Sequence, residues 1–436
     1  MRRRSIHLAI VILAVLPVNP PLYGAQLTLP AAISSSARSS PGATPLAALV
    51  TEAELNNPGI LAARRSWQAA AQIPSQAATL PDPELQIQQF SVGSPRPFAG
   101  YSNSDFAYIG FGISQDLPYP GKLRLKGEMA GREAAATRDE YKSVEREMVE
   151  QLSGVYFQLA EAQQILGILD ADRQLLAQIE KSAEADYRVG RGSQQGVLKA
   201  QLQETRLLRD LALERQQKAT LEANIKQLLN RPADSSDIEA AKLTETPLTA
   251  TMDELMTHVR TGNPAAGAQQ EQVERQGLRV ELAHKDFYPD FNVQYMWQHT
   301  GAPFRDYYML SFGVKLPIHR RSKQQPELAQ AAAELDSSRR QYEAQVQQLY
   351  FDVREQYLAA QTGAHVLKLY RQGLLPQATA EFQAGLAAYE SHREDFETLF
   401  NSFLDVLNLN QEYWQTLANH EIAIARLEEL TGVSLL

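Results

Sequence analysis

Between Pro289 and Leu316 the sequence alternates apolar and polar residues in two separate runs, and the pattern limits which solvents the chain can be built for. In the first run Phe291, Val293, Tyr295 and Trp297 are interleaved with Asn292, Gln294, Met296 and Gln298. In the second, Tyr308, Leu310, Phe312, Val314 and Leu316 are interleaved with Tyr307, Met309, Ser311, Gly313 and Lys315. A period of two assigns each set to one face of a strand, and the short Gly/Pro loop between the runs makes a hairpin. Strands of about 10 residues suit a membrane barrel with lipid outside and water inside. They also suit a hairpin on a soluble sheet, so the rest of the chain has to decide.

The chain has 436 residues, no cysteine and a formal charge of -9. It is too long for one ordinary compact core, and its acidic balance argues against nucleic acid as a partner. Residues 1–25 read as an export signal peptide: Arg2, Arg3 and Arg4 precede an apolar run from Ile6 to Leu16, and Gly24-Ala25 offers a cleavage site. The apolar run is well short of the roughly 20 residues that span a bilayer. Residues 26–45 are rich in Ser, Ala and Pro and read as a flexible lead-in. Thr44 is expected to cap a helix with Pro45 at its first position. That helix runs towards Ala78, with breaks or kinks at Pro58 and Pro74.

A second, less regular hairpin follows, with strands over about 84–92 and 106–117 around a Gly/Pro/Ser loop. The better hairpin has strands over about 290–299 and 306–317. From Gly121 to Arg231 there is no proline. Val144, Met148, Leu152, Val155, Leu159, Ala162, Leu166 and Leu169 recur at steps of three and four. Such a near-heptad seam predicts lengthwise packing of a very long helix from Leu123 to Tyr187, roughly 95 Å at 1.5 Å per residue. A return helix over about Val197–Asn230 and a linker over 232–250 complete this half.

The order then repeats. Asn263-Pro264 answers Asn57-Pro58, Pro289-Asp290 answers Pro81-Asp82, and Phe312-Gly313 answers Phe111-Gly112. Tyr389 answers Tyr187, and Leu430 answers Leu228. The intervals are 206, 208, 201, 202 and 202 residues. The landmarks define a duplicated helix–β-hairpin–long helix–helix unit, with repeats over 46–231 and 251–436. The second long helix is expected over about Gln325–Ala388 with a bend at Pro376, and its return helix over Phe396–Leu430.

Four membrane strands cannot close a barrel alone, and open edges do not survive in hydrocarbon. Copies of the chain must therefore share one barrel. Two copies give 8 strands, which side chains fill; three give 12, which leaves a pore. The expected fold is mostly α, with a trimeric 12-stranded membrane β-barrel continued by a periplasmic α-helical barrel.

The junction SQDLPYPGKLRLKGEMAGREA (Ser114 to Ala134), the turn YRVGRGSQQGVLKAQ (Tyr187 to Gln201) and the duplicated layout resemble the TolC family of outer-membrane efflux proteins. The Pro-Gly-Lys junction is most similar to its metal-efflux, CzcC/CusC-like branch. The resemblance covers about residues 46–432. It implies a homotrimeric exit duct in the outer membrane of a Gram-negative bacterium, reaching into the periplasm. Its implied partners are a periplasmic adaptor (membrane fusion protein) and an inner-membrane transporter of the RND type. The duct would conduct passively, heavy-metal cations being one candidate cargo. A channel for drug efflux or type I protein secretion is one alternative, and a soluble periplasmic coiled-coil scaffold is another. Two features depart from the branch pattern: no cysteine is available for lipid modification, and His392 stands where the first repeat has Gly190.

The resemblance assigns adaptor docking to the tip residues Tyr187, Arg188, Val189, Gly190, Arg191, Gly192, Ser193, Tyr389, His392 and Arg393. Glu390, Glu394, Asp395 and Glu397 crowd the second tip, and three copies would form a negative constriction; acidic residues equally suit a helix start. The family's gate aspartates fall near Thr398 and Asn401 and do not carry over. Tyr295, Trp297, Tyr307 and Tyr308 are candidates for an aromatic girdle next to lipid. The basic residues Lys122, Arg124, Lys126, His319, Arg320, Arg321 and Lys323 follow the strands, where anionic headgroups are expected. The histidines show no ligand spacing, no catalytic motif is present, and the reading calls for no enzyme, cofactor or resident metal.

Overall fold

The computed structural model describes residues 43–301 and 303–435. The export signal and most of the lead-in lie outside the described residues. Three short helices come first: α1 (Leu46–Asn56), α2 (Pro58–Ala70) and α3 (Ile73–Ala78). Strands β1 (Glu84–Phe90) and β2 (Tyr108–Leu117) lead into α4 (Lys122–Arg188), and α5 (Gln194–Leu228) returns. The second half runs α6 (Met252–Gly262), α7 (Pro264–Lys285), β3 (Asp290–His299), β4 (Tyr307–Lys315), α8 (Gln324–Leu369), α9 (Leu375–Glu390) and α10 (Phe396–Thr431).

With 67 residues and no proline, α4 extends for about 100 Å. Leu152, Leu159, Ala162 and Leu169 of the predicted seam are fully buried, in lengthwise contact with α5, α7 and α10. Repeat two has a proline at the matching depth, Pro376. There the helix loosens into a π-turn over Tyr370–Leu374 before α9 continues. The proline has no N–H for the preceding turn and its ring crowds the carbonyl four residues back, so one wide turn relieves both problems. Apolar clusters are distributed along the rod, one around Leu152, Tyr156 and Leu417, another around Leu176, Leu207 and Phe403. A third surrounds Leu255, Val353 and Ile424.

Asparagine holds each repeat together in the same way. Asn57 Oδ1 accepts from the Gly59 and Ile60 amides, and its Nδ2 donates to the Leu228 carbonyl at 2.8 Å. Asn263 Oδ1 accepts from the Ala266 amide, and its Nδ2 donates to the Leu430 carbonyl at 2.9 Å. Two of the sequence landmarks therefore touch each other, which ties the Asn-Pro helix start to the end of the return helix. Asn263→Ala removes a cap worth about 1 kcal/mol and strands a buried carbonyl at about 1 kcal/mol more. The expected result is a loss of about 2 kcal/mol in helical melting by circular dichroism; an unchanged melt would contradict it.

Two local expectations are corrected. Thr44 caps nothing: α1 has Pro45 at its N-cap with no side-chain cap, while Thr44 pairs with Ala240 of the linker and its carbonyl accepts from Tyr156 Oη. The strand register also shifts one landmark. Phe111 pairs with Ile87, and Phe312 pairs with Val293. Those partners are 206 residues apart, the interval between Asn57 and Asn263. Pro289-Asp290 therefore answers Pro83-Glu84, not Pro81-Asp82, and no insertion separates the two repeats over this stretch.

The strands form one antiparallel sheet in the order β1-β2-β3-β4, leaving β1 and β4 as open edges. Among the described residues no helix is long and apolar enough to cross a membrane.

Candidate functional site

The sheet sorts its side chains by polarity across all four strands. Register places Leu85, Ile87, Ile113, Phe111, Tyr295, Trp297, Leu310 and Phe312 on one face, because Leu85 pairs with Ile113, Ile113 with Tyr295, and Tyr295 with Leu310. Gln86, Gly112, Ser114, Gln294 and Ser311 lie on the other. The polar face is the more enclosed: Ser114 and Met296 are buried, and Gln294 Nε2 donates to Gln86 Oε1 at 3.0 Å. The apolar face is open, with Leu85 at 79 % and Phe312 at 71 % exposure. A continuous bare apolar face of this size does not persist in water.

Of the girdle candidates, Tyr295, Trp297 and Tyr308 belong to the apolar face. Tyr307 pairs with Gln298 on the polar one, since neighbours in a strand cannot share a side. Trp297 Nε1 donates to Asp306 at 3.1 Å and stacks on Phe111.

Where strands meet helices, Lys122 is buried between Asp286 and Asp290, at 2.9 Å from each. The Tyr119 amide donates to the same Asp290 at 2.8 Å. Burial favours the neutral amine, but hydrogen bonds to Asp290 and Asp286 outweigh it and raise the Lys122 pKa above its ordinary value. Lys122 is therefore occupied inside the fold and cannot reach headgroups. Tyr119 and Tyr288 stack at 4.6 Å, with Lys285 Nζ over both rings. The alternation that reveals the strands does not extend to this pair, which sits just outside them.

At the far end the two helical turns have the same geometry. After α4, the Gly190 amide donates to the Tyr187 carbonyl and the Arg191 amide to that of Asp186. After α9, the His392 amide donates to Tyr389 and the Arg393 amide to Ala388. This is the Schellman closure, which needs a left-handed residue. Gly190 has φ of 74° and His392 has φ of 56°, so the histidine keeps the turn that its identity brought into question. His392→Gly relieves about 1–2 kcal/mol of backbone strain, offset in part by about 0.5–1 kcal/mol for the glycine's greater freedom in the unfolded chain. Hydrogen exchange at this turn should slow about threefold, and faster exchange would contradict that.

The tip candidates divide by exposure. Tyr187, Arg188, Val189, Gly190, Arg191, Ser193, His392 and Arg393 are exposed, and Gly192 is half-buried. Arg191 reaches His392 at 3.4 Å and joins the two turns. Tyr389 is buried against Phe396, and burial followed by a hydrogen bond to Asp186 pushes its hydroxyl up to about 12. It packs the tip and offers no surface.

The acidic four divide too. Asp395 caps α10 through the Thr398 amide, and Glu397 pairs with Lys199 at 2.7 Å. Glu390 and Glu394 stay exposed and make no ion pair among the described residues. Lys199 and Phe396 were not visible as tip residues, because each looks like an ordinary helix position until the second repeat is laid beside it.

Farther up α4, burial and then the nearby Glu214 push the Glu161 carboxyl up to about 7; burial raises Asp172 to about 6. A raised carboxyl favours the folded state while protonated, so this contribution is complete below the unfolded value of about 4.5 and fades as pH climbs through 7. Discounted for partial exposure, it amounts to about 1–2 kcal/mol. Glu161→Gln should melt like the parent at pH 5 and several degrees higher at pH 8; equal melting at both would contradict the assignment.

A family model described as outer membrane efflux protein matches residues 49–231 and 255–432, one segment for each repeat. No curated protein matches the chain. Among solved structures the outer-membrane channel OprN superposes with a TM-score of 0.77 at 15 % identity, covering 89 % of this chain and 90 % of that one. The outer membrane protein VceC of Vibrio cholerae gives 0.76 at 17 %, covering 90 % and 97 %. CusC, a transmembrane channel, gives 0.76 at 14 %, covering 89 % and 92 %. At such identities the likeness is one of fold, a β-barrel continued by an α-helical barrel.

Proposed function

Because the chain belongs to the outer membrane efflux protein family, we propose that it is the exit duct of a tripartite efflux system, assembled from three copies in the outer membrane. The observation that carries this reading is the sheet: one continuous apolar face, one polar face, and two unpaired edges. Hydrocarbon suits the first and tolerates no unpaired backbone, so the edges must close on other copies. Three copies supply 12 strands, enough for a wet pore lined by the polar face. The helices continue the wall through the periplasm. The exposed tip turns around Arg188–Arg191 and His392-Arg393 dock a periplasmic adaptor, beyond which an RND-type pump supplies the energy.

Threefold repetition of Glu390 and Glu394 would ring the tip with carboxylates, which favours cationic cargo such as heavy-metal ions. Passage through a duct asks for no catalytic group. The test is a deletion strain. Sensitivity to metal salts, reversed by the wild-type gene and weakened by Glu390→Gln with Glu394→Gln, supports the metal reading. Sensitivity to organic drugs alone would replace it with drug efflux, and normal tolerance of both would remove the efflux role.

A further inference from the structure

The duplication predicts how one copy meets the next, at the level of individual residue pairs. Inside the chain, repeat one joins repeat two through β2 and β3, where Ile113 pairs with Tyr295, Gln115 with Val293, and Leu117 with Phe291. In a ring the only remaining seam is β4 of one copy against β1 of the next, and by the repeat these are the counterparts of β2 and β3. The interval from β2 to β4 is 201 residues, fixed by Phe111-Gly112 and Phe312-Gly313. The interval from β1 to β3 is 206, fixed by the registers of both hairpins. Carrying the β2–β3 pairs across gives Val314 of β4 opposite Gln89 and, one residue past the end of β4 at Lys315, Leu316 opposite Ile87.

Two independent observations agree with that register. The first is parity. Val314 and Leu316 would face the same side as Gln89 and Ile87, so the side that carries the apolar face continues across the seam; a slip of one residue would turn each pair over. Leu85, Ile87, Leu316 and Ile318 are among the most exposed apolar side chains, at 79, 66, 64 and 75 %. The second is charge. At the base of β1, Asp82 and Glu84 are exposed and make no ion pair within the described residues. The segment 319–323 after β4 holds Arg320, Arg321 and Lys323, likewise exposed and outside any ion pair there. Within the chain, the counterpart of Glu84 is Asp290, which is held by Lys122 and the Tyr119 amide from the segment after β2.

We propose that β4 of one copy pairs antiparallel with β1 of the next in this register, and that the basic segment 319–323 locks onto Asp82 and Glu84 at the periplasmic end of the seam. The proposal rests on the ring of copies inferred above and adds the register and the charge lock. Directly opposed Cβ atoms approach to about 4.5–5.5 Å whereas diagonal ones stay about 7–8 Å apart, so only the former can form a disulfide without distortion. The chain has no cysteine of its own, which makes the test clean. Leu316→Cys with Ile87→Cys should link into dimers and trimers on oxidation, at least fivefold more than Leu316→Cys with Leu85→Cys or with Gln89→Cys. Asp82→Lys with Glu84→Lys should lower the temperature at which trimers dissociate, and Arg320→Glu with Arg321→Glu in the same chain should restore much of it. Intact trimers that cross-link best through a slipped pair, or through none, overturn the register while leaving the duct standing. Unchanged dissociation on charge reversal overturns the lock. Monomers in membranes with no linked pair would remove the duct reading itself.

Discussion

Ile113→Arg abolishes assembly in the outer membrane, whereas Ser311→Arg leaves it intact. Ile113 is central in β2, flanked across the sheet by Leu85 and Tyr295, all on the apolar face. An arginine near the bilayer midplane of a barrel costs about 2–4 kcal/mol. Three copies bring that cost three times into one assembly, about 6–12 kcal/mol, comparable to the stability of a whole domain. Ser311 sits opposite Gln294 on the polar face, where a charge meets water. The readout is the trimer recovered from outer-membrane fractions. Equal recovery of the two variants would mean that the apolar face does not meet lipid.

Lys122→Met is the second large effect, and it acts at the barrel's base. The substitution leaves Asp286 and Asp290 facing each other with no cation between them; their side chains are 41 and 35 % exposed. Breaking a buried pair from one side costs about 3–5 kcal/mol, reduced here to roughly 2–3 by the water the two carboxylates still reach. Trimers should dissociate at lower temperature, with protease cutting between β2 and α4. Adding Asp286→Asn to Lys122→Met should recover part of the loss, since one unpaired charge is gone. A variant as stable as the parent would show that Lys122 contributes nothing to the junction.

The hairpin at β3 and β4 was legible because lipid and water select opposite residues on alternate positions, and that selection leaves a period of two. The long helix was legible for the complementary reason that a 67-residue helix excludes proline throughout. Between the elements the signal weakens. Asp82 and Glu84 each follow a proline in Pro-Asp-Pro-Glu, and only the register with Ser114 identifies the second as Asp290's counterpart. Thr44 has the right chemistry for a cap, yet its backbone is taken by the linker at Glu239 and Ala240. His392 in a left-handed turn could not be anticipated from residue type, because the helix termination around it supplies the carbonyls that hold it there. Charge density alone made four acidic tip residues look alike, although a cap and an ion pair use two of them.

Closure by identical copies is what everything else depends on, and the mass of the detergent-solubilised protein measured by native mass spectrometry tests it directly. The account predicts one species of three chains that resists dilution and conducts ions in planar bilayers. A water-soluble single chain, stable without detergent, would contradict it.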